Sequence, residues 1–420
     1  MRVLGLIGAL PDATAPAGPP RALALLRILS DAGHDVELVV GEPLNDATQP
    51  LADAAASLIG GPVSAAPGGG PLATGTLSLR WALPVRLAAE RSTPLARAAR
   101  SRVGSVDLIM SFDDAGHGAA SAVSDDVPTV MDLHHLGGMP EDGDWARTSR
   151  ERWLIQPQRS WERRVLARGM AVMAPSRQAQ HRIDRLYYRR PVIVPTPVPA
   201  VEPAPAIDGA FVVGWFGDTS DPDERAGLAA LTTQIWPSVG TPGAELVLAD
   251  AAQSTALAAA GAAPGVSLLR AASVAELAAR CTIAVRPTHR AGGDGAFTLA
   301  LMAAGLPVVG TPQAFEGIDM HDGMEGLVAE TPIELAAALR KLAADPSSTR
   351  QIAGQGQQHV LRRHAADTIL PLVEQAIAHA QARHEDLTTG RVPHPLDPAG
   401  VKREIEETLA LARAAGTHER

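Results

Sequence analysis

The sequence predicts an α/β protein with two doubly wound domains, each built on a parallel sheet. Short apolar runs alternate with longer Ala- and Leu-rich segments of helical period, and this alternation is typical of parallel strands covered by helices. A proline-rich stretch at 195–207 separates two such sets, and a chain of 420 residues is long enough for two domains. Ligands bind such sheets beyond the carboxyl ends of the strands, so the interdomain cleft is the expected site.

The first set predicts an N-terminal Rossmann-like domain over residues 1–195. Arg21 to Ala32 has helical spacing and stops at Gly33, a residue that commonly follows a helix end. The predicted strands lie at 3–7, 36–41, 107–112, 128–133, 171–175 and 191–195.

The second set predicts another Rossmann-like domain over residues 209–365, after a linker at 196–208. Proline lacks the N–H that a strand needs and favours extended chain, which supports the linker. Strands are predicted at 211–217, 244–249, 266–269, 281–285, 307–310 and 326–329, and helices at 274–279, 297–304 and 333–344. We expect residues 349–383 to form helices over this domain. Residues 366–420 are predicted to hold C-terminal helices and a charged tail, which ends in a helix at 401–415.

The charge pattern predicts a basic face in the first domain. The chain carries −9 overall, yet residues 146–190 hold 12 Arg against three acidic residues. Such a face suits an anionic substrate or a membrane surface, with ordinary solvated helix faces as the alternative reading. Nucleic acid is a poor candidate, because the net charge is negative and aromatic residues make up 3%.

Cysteine and hydropathy suggest a cytoplasmic protein. Cys281 is the single cysteine and excludes an internal disulfide or a cysteine zinc cluster; its apolar neighbours indicate a buried thiol. No apolar run reaches the ~18 residues that span a bilayer, and the N-terminus resembles a first strand more than a secretory signal. The sequence itself offers no metal-binding cluster.

A glycine-rich loop lies between the fourth strand and the next helix of the second domain. Gly292, Gly293 and Gly295 precede an apolar helical segment. A loop of this kind at a helix N-terminus leaves backbone N–H groups that can hold a phosphate. Because there are only two Lys, Lys341 and Lys402, a phosphate-binding cation earlier in the chain must be Arg or His.

The order and spacing of several segments resemble the family 4 glycosyltransferases, which have the GT-B fold. These segments are Ala32–Val40, Pro128–His134, Met173–Ser176, Val192–Pro195, Val213–Gly217, Ile235–Pro237, Ala304–Thr311 and Phe315–Gly317. The resemblance implies transfer of a sugar from a nucleotide-sugar donor, of hexosyltransferase type, with retention and without an essential metal or other cofactor. It also implies that the donor lies mainly on the second domain and the acceptor mainly on the first.

The resemblance assigns roles to individual residues. His134 matches a histidine that reaches the donor sugar and is the candidate catalytic residue, although a hydrogen-bonded histidine at a strand end is the alternative. The candidate donor-binding residues are Gly217, Asp218, Arg286, Arg290, Gly292, Gly293, Gly295, Thr298 and Glu316.

This chain departs from the family at the donor loop. The family's donor-binding Lys and Glu correspond to Phe297 and Ala300, and a further Glu corresponds to Gly292. Each lost charge-assisted bond is worth about 1.5–3 kcal/mol. The N-terminal loop around Ala13–Pro20 has one glycine and is rich in proline, which differs from the family's acceptor loop.

Three functional readings therefore stay open. In the first, the protein is an active transferase in which Arg286 or Arg290 replaces the lysine, and Thr298, Asp294 or Glu316 meets the ribose. In the second, it is a catalytically inactive partner or scaffold of a true transferase. In the third, it is another cleft enzyme such as an epimerase, since a phosphorylase would need a suitably placed lysine. The acceptor can be a small metabolite or a lipid-linked molecule.

Overall fold

The computed structural model describes residues 1–12, 20–67, 93–134, 149–199, 211–250, 255–261, 263–269, 273–288 and 295–392. These residues form two parallel sheets, one in each half of the chain. The predicted α/β class is therefore confirmed.

The first sheet has the strand order β3-β2-β1-β4-β5-β6-β7 among the described residues. Its strands are β1 (Arg2–Ile7), β2 (Asp35–Val40), β3 (Val63–Ala65), β4 (Leu108–Ser111), β5 (Thr129–Asp132), β6 (Ala171–Ala174) and β7 (Val192–Ile193). The described helices of this half are α1 (Arg21–Asp31), α2 (Gln49–Ile59), α3 (Thr93–Arg102), α4 (Asp114–Ser121), α5 (Ser149–Arg168) and α6 (Arg177–Tyr187).

Apolar side chains cover both faces of the first sheet. Because successive strand residues point to opposite faces, Val3 and Leu4 enter different apolar clusters. The cluster of Val3 includes Leu25 of α1, whereas the cluster of Leu4 includes Ala119 of α4. This burial explains why the strands of the sequence are nearly continuous apolar runs.

The second sheet has the order β10-β9-β8-β11-β12-β13 among the described residues. Its strands are β8 (Val212–Gly217), β9 (Glu245–Asp250), β10 (Val266–Leu269), β11 (Ile283–Arg286), β12 (Val308–Gly310) and β13 (Leu327–Val328). The helices are α7 (Pro222–Ala230), α8 (Trp236–Val239), α9 (Thr255–Ala260), α10 (Val274–Ala278), α11 (Ala296–Ala303), α12 (Pro332–Ala344), α13 (Pro346–Arg363) and α14 (Ala366–Thr388).

Both sheets reverse their strand order at a point that can receive a ligand. In the first sheet the reversal lies between β1 and β4, and in the second it lies between β8 and β11. Open α/β sheets bind ligands beyond the carboxyl ends of strands at such points. The residues that follow β1, β4, β8 and β11 therefore lie at the expected ligand-binding edges, and those that follow β5 lie next to the first of them.

The last described helix corrects one expectation, that residues 349–383 all cover the second domain. Helix α13 does pack beside α11 in that domain. Helix α14 instead returns to the first sheet, where Val373 and Ile377 join the apolar cluster of Met110 and Met173. The apolar stripe of α14 is visible in the sequence, but a stripe does not say which sheet it covers.

Some expectations lie outside the described residues. They concern the part of the linker from residue 200 onward, the charged helix at 401–415 and the glycine-poor loop at 13–19.

Candidate functional site

The carboxyl end of β5 carries a buried ion pair next to the candidate histidine. Asp132, the last residue of the strand, is fully buried, and Arg21 at the start of α1 reaches it. Arg21 Nη2 donates to Asp132 Oδ1 at 2.8 Å, and Arg21 Nε donates to Oδ2 at 2.9 Å. His134 Nδ1 lies 2.9 Å from the same Oδ2. Burial by itself opposes ionisation of Asp132, but Arg21 and His134 outweigh it and hold the pKa of this carboxyl well below its usual range.

A second polar pair lies beside this one, at the carboxyl end of β4. His117 on α4 is buried, and its Nδ1 lies 2.8 Å from Ser111 Oγ. Burial lowers the pKa of His117 to about 3, so the ring is neutral near pH 7. Its Nε2 is buried without a hydrogen-bond partner among the described residues.

Asp113 closes the loop between β4 and α4. Its carboxylate accepts from the backbone N–H of Gly116, as the cap of α4, and from the N–H of Gly8 after β1, both at 2.7 Å. Burial raises the pKa of Asp113, and the two N–H donors act against that rise. The ends of β1, β4 and β5 thus form one polar edge, to which His134 belongs.

In the second domain, a buried ion pair joins Arg286 at the end of β11 to Glu224 in the first turn of α7. Arg286 donates from Nη2 to Glu224 Oε1 at 2.6 Å and from Nη1 to Oε2 at 2.9 Å. It also donates to the carbonyl oxygen of Phe216. The guanidinium of Arg286 is therefore paired with the Glu224 carboxylate in this structure. Its contact with a donor diphosphate stays a prediction.

Phe297, at the position of the missing family lysine, covers this ion pair. The Arg286 guanidinium lies 5.1 Å from the centre of the Phe297 ring, and the rings of Phe297 and Phe216 are 5.7 Å apart. A guanidinium at this distance from an aromatic face is attracted by the ring. An aromatic contact to Arg286 thus occupies the position where the resemblance implies a lysine.

Gly217 has no room for a side chain. A Cβ there would lie 2.5 Å from Glu224 Oε2 and 2.5 Å from a ring carbon of Trp215. The glycine therefore lets the chain leave β8 directly over the Arg286–Glu224 pair. The next residue, Asp218, accepts from Ser220 N at 2.8 Å and so fixes the turn that leads toward α7.

Gly295 begins α11 in a conformation that favours glycine. Its φ is +68°, and an added Cβ would lie 2.9 Å from the Ile318 side chain. One turn later, Thr298 donates to the carbonyl oxygen of Ala314 at 2.7 Å and is buried. Thr298 therefore ties α11 to the segment after β12, and its predicted role at the ribose stays a prediction.

Glu316 faces the first domain across the cleft. Arg182 of α6 donates from Nη2 to Glu316 Oε1, and both side chains are largely buried. Nearby, Arg363 at the end of α13 donates to Asp319 Oδ2 at 3.0 Å. Glu316 is thus placed where the two domains meet, as a residue of the cleft.

The other predicted donor residues are outside the described part of the chain. They are Arg290, Gly292 and Gly293, together with Asp294, the other candidate for the ribose. Of the predicted site residues that the structure describes, His134 follows β5 of the first sheet. Gly217, Asp218 and Arg286 lie at the ends of β8 and β11, and Gly295, Thr298 and Glu316 lie at the start of α11 and after β12.

Sequence reasoning missed three residues of this region: Arg21, Glu224 and Arg182. Each is the charged partner of a residue that was considered, and the partners are separated by 111, 62 and 134 positions. The sequence held a weak signal for Arg21. It is a cation at the start of an otherwise apolar helix, and that helix follows the first strand and its loop.

Two searches of the described residues found nothing. Across these ranges, no three His, Cys, Asp or Glu side chains lie close enough to hold a metal ion. No helix in the described part of the chain is both long and apolar enough to cross a bilayer.

Two protein-family models match consecutive parts of the chain. The Glycosyl transferase 4-like domain matches residues 18–199, and Glycosyl transferases group 1 matches residues 210–345. Comparison with curated proteins found no match for the sequence.

Crystal structures of several transferases and a synthase share the fold. Sucrose-phosphate synthase of Thermosynechococcus elongatus is 14% identical with a TM-score of 0.68, covering 91% of this chain and all of that one. HepE of Anabaena, in complex with UDP and glucose, is 16% identical with a TM-score of 0.63, covering 90% of this chain and 99% of HepE. The glycosyltransferase SnogD of Streptomyces nogalater is 22% identical with a TM-score of 0.51, covering 90% of this chain and 99% of SnogD. At these identities the likeness shows a common fold.

Proposed function

The chain belongs to the family 4 glycosyltransferases with the GT-B fold, and from this premise we propose that it transfers a hexose from a nucleoside-diphosphate sugar with retention of configuration. The observation that carries the proposal is the match of both family domains, in order, to the two parallel sheets. His134 follows β5 in the first, and Gly217 ends β8 in the second. The donor occupies the second domain and the acceptor the first.

His134 is the proposed catalytic residue. Retaining transfer passes through a sugar with oxocarbenium-like charge, and preorganised hydrogen-bonding groups around such a centre lower its energy. His134 lies at the end of β5 with its Nδ1 beside Asp132. A neutral ring in that position can accept a hydrogen bond from a sugar hydroxyl at Nε2.

The donor phosphates are proposed to bind between the loops that start α7 and α11. Gly217 and Gly295 support this placement, because neither site has room for a side chain near the end of its strand or the start of its helix. Arg290, Gly292 and Gly293 are proposed to meet the diphosphate directly. Arg286 is proposed to face the donor while it holds the Phe216 carbonyl and Glu224.

A ligand-binding screen tests the proposal. Saturation-transfer NMR with UDP, GDP, ADP and TDP sugars should detect at least one donor, with UDP sugars as the first arm because HepE was crystallised with UDP and glucose. Gly293→Trp should abolish the signal. Gly354→Trp is the matched control, since Gly354 is exposed and a Cβ added there has nothing within 4 Å. The absence of binding for every nucleotide would contradict the proposal.

An inactive partner protein is the second candidate, and the charge pairing of the site favours it. Arg286 is paired with Glu224 under Phe297, and Glu316 is paired with Arg182. A site whose charges are already paired within the protein has less to offer a diphosphate. Donor hydrolysis and transfer assays separate the candidates: an inactive partner shows no turnover alone and stimulates turnover by an active transferase that co-purifies with it.

The acceptor is proposed to be a small secondary metabolite or a lipid-linked molecule. Exposed Arg163, Arg164, Arg185 and Arg190 on and after α5 and α6 support contact with anionic groups, including those of a membrane face. We also propose a cytoplasmic location from the single cysteine, and turnover without a metal ion. EDTA should then leave the rate unchanged, whereas a loss that Mg²⁺ restores would contradict metal independence.

A further inference from the structure

The Arg21–Asp132 ion pair has an arrangement that bears directly on His134. Both side chains are nearly inaccessible, with exposed fractions of 1% and 0%. Arg21 bonds Asp132 through two nitrogens, and its third, Nη1, lies 3.3 Å from Thr196 Oγ1 in the segment after β7. The guanidinium is therefore held from two sides, by β5 and by the segment after β7, and it fixes the plane of the carboxylate.

The two oxygens of Asp132 have different partners. Oδ1 receives the 2.8 Å bond from Arg21 Nη2. Oδ2 receives the 2.9 Å bond from Arg21 Nε and lies 2.9 Å from His134 Nδ1. An ionised carboxylate is an acceptor only, so this neighbour favours the tautomer of a neutral His134 ring that carries its proton on Nδ1.

Other titratable groups face this assembly from α4 and the loop before it. His117 is kept neutral by burial and acts on Asp132 and His134 through its charge only when protonated, and Asp113 lies near His134. The His117 ring is engaged by Ser111 at Nδ1. In the described part of the chain, Asp132 is the carboxylate that lies 2.9 Å from His134 Nδ1.

We propose that Arg21 and Asp132 are positioning residues: they hold His134 as the Nδ1-protonated tautomer and direct its Nε2 lone pair toward the sugar. This inference rests on the proposed transfer for its meaning in catalysis, whereas the tautomer itself is a property of the free protein. Arg21 fixes the orientation of the Asp132 carboxylate, and that carboxylate fixes the orientation and the tautomer of the His134 ring.

Substitution of Asp132 by asparagine tests the proposal, because it replaces one acceptor oxygen with an NH₂ donor. The Asp132→Asn side chain keeps one oxygen and gains an NH₂ group. Because Arg21 has only donors, that oxygen should stay in the place of Asp132 Oδ1, where Arg21 Nη2 and Nε both reach it. The amide NH₂ then faces His134 Nδ1 and donates to it. The neutral ring of His134 must move its proton to Nε2.

A double substitution should reverse this effect. In Arg21→Met with Asp132→Asn, no guanidinium competes for the oxygen, and the amide can turn that oxygen to His134. The double variant also removes both buried charges together, which avoids the unpaired Arg21 that the single variant leaves. The single and double variants therefore have opposite expected tautomers at the same histidine.

Long-range ¹H–¹⁵N NMR of protein labelled in histidine tests this directly, with His134→Gln to assign the signal. Near pH 8, His134 should be Nδ1-protonated in the wild type, Nε2-protonated in Asp132→Asn and Nδ1-protonated again in the double variant. An unchanged tautomer in a folded Asp132→Asn protein, or a wild-type ring protonated at Nε2, would overturn the proposal. None of these readings requires turnover.

Kinetics give the second measurement. With a donor identified, Asp132→Asn should lower kcat by about 10²-fold with KM little changed, because a preorganised group is lost from the transition state. The double variant should recover part of kcat. A wild-type kcat in Asp132→Asn would reject the positioning role while leaving the transferase function intact, and a correct tautomer pattern without any transfer would reject the transferase function alone.

Discussion

At the scale of single residues, the Arg286–Glu224 pair is a place where charge and burial decide stability. Arg286→Met leaves Glu224 in a buried position without its bidentate partner. Removing one member of a buried pair typically costs about 3–5 kcal/mol. We expect urea denaturation to show a loss of that order for Arg286→Met.

The double variant is the control for this prediction. Arg286→Met with Glu224→Gln removes both charges, so most of the loss should be recovered, as replacement of a whole pair is often neutral. Additive effects of the two single substitutions would contradict an energetic coupling between them.

Gly295 allows a residue-scale test of backbone strain against steric contact. Gly295 and Gly33 both have positive φ, +68° and +86°, but only Gly295 has Ile318 within 2.9 Å of an added Cβ. Gly33→Ala should cost about 1–2 kcal/mol from φ alone. Gly295→Ala should cost more, because contact adds to strain; equal thermal shifts in the two variants would contradict this.

The sequence could predict site residues that lie in local patterns, but not the charged residues that pair with them. His134, Gly217 and Gly295 could be singled out because each sits in a recognisable local pattern at a strand or helix end. Arg21, Glu224 and Arg182 could not, because their roles depend on pairing with residues distant in the chain. Phe297 was noted as a departure, but its contact with Arg286 needed the fold.

At the scale of elements, α14 is a helix from the end of the described chain that stabilises the first domain. Ile377 lies in the cluster of the first sheet and is buried. Ile377→Ala should destabilise by about 2–5 kcal/mol. Hydrogen exchange should rise in β5 and β6, which α14 covers, and stay unchanged in β8 and β9.

Leu361, an exposed apolar residue on the neighbouring helix α13, is the control for the Ile377→Ala substitution in α14. It is 46% exposed, so Leu361→Ala should change stability by less than about 0.5 kcal/mol. Faster exchange in the second sheet after Ile377→Ala would contradict the assignment of α14 to the first domain.

Strands were the most predictable elements, for a physical reason. Parallel strands buried on both faces are continuous apolar runs, and all such runs named from the sequence lie on strands of the structure. The exception is β3, a short half-buried edge strand with the sequence Val-Ser-Ala. Its residues carry no periodic signal, and only its pairing with β2 makes it a strand.

At the scale of the whole molecule, the two domains are tied together where the chain passes between them. His364, between α13 and α14, has Nδ1 2.8 Å from the carbonyl oxygen of Thr196, and its own carbonyl accepts from Val198 N at 3.0 Å. The segment after β7, where the chain first leaves the first domain, is thus hydrogen-bonded to the segment between α13 and α14, where the chain returns to it. The sequence predicted the first crossing from its prolines but gave no sign of the second, because a helix boundary does not reveal a change of domain.

Buried neutral histidines predict how the stability of the whole molecule depends on pH. Burial lowers the pKa of His117 to about 3 and that of His364 to about 4, whereas an unfolded histidine titrates near about 6.5. The unfolded state therefore binds protons first. The stabilisation is complete above about pH 6.5 and is lost as pH falls toward the folded values, at up to about 1.4 kcal/mol per pH unit for each histidine.

The double variant His117→Asn with His364→Asn should flatten this dependence between about pH 6.5 and about pH 4.5. His359, whose pKa is also lowered by burial, remains and should leave a smaller slope in the same range. The lowered carboxyl pKa values, such as that of Asp132, act only below this window. Urea denaturation at several pH values measures both slopes, and equal slopes in the wild type and the variant would show that these two histidines do not couple folding to pH.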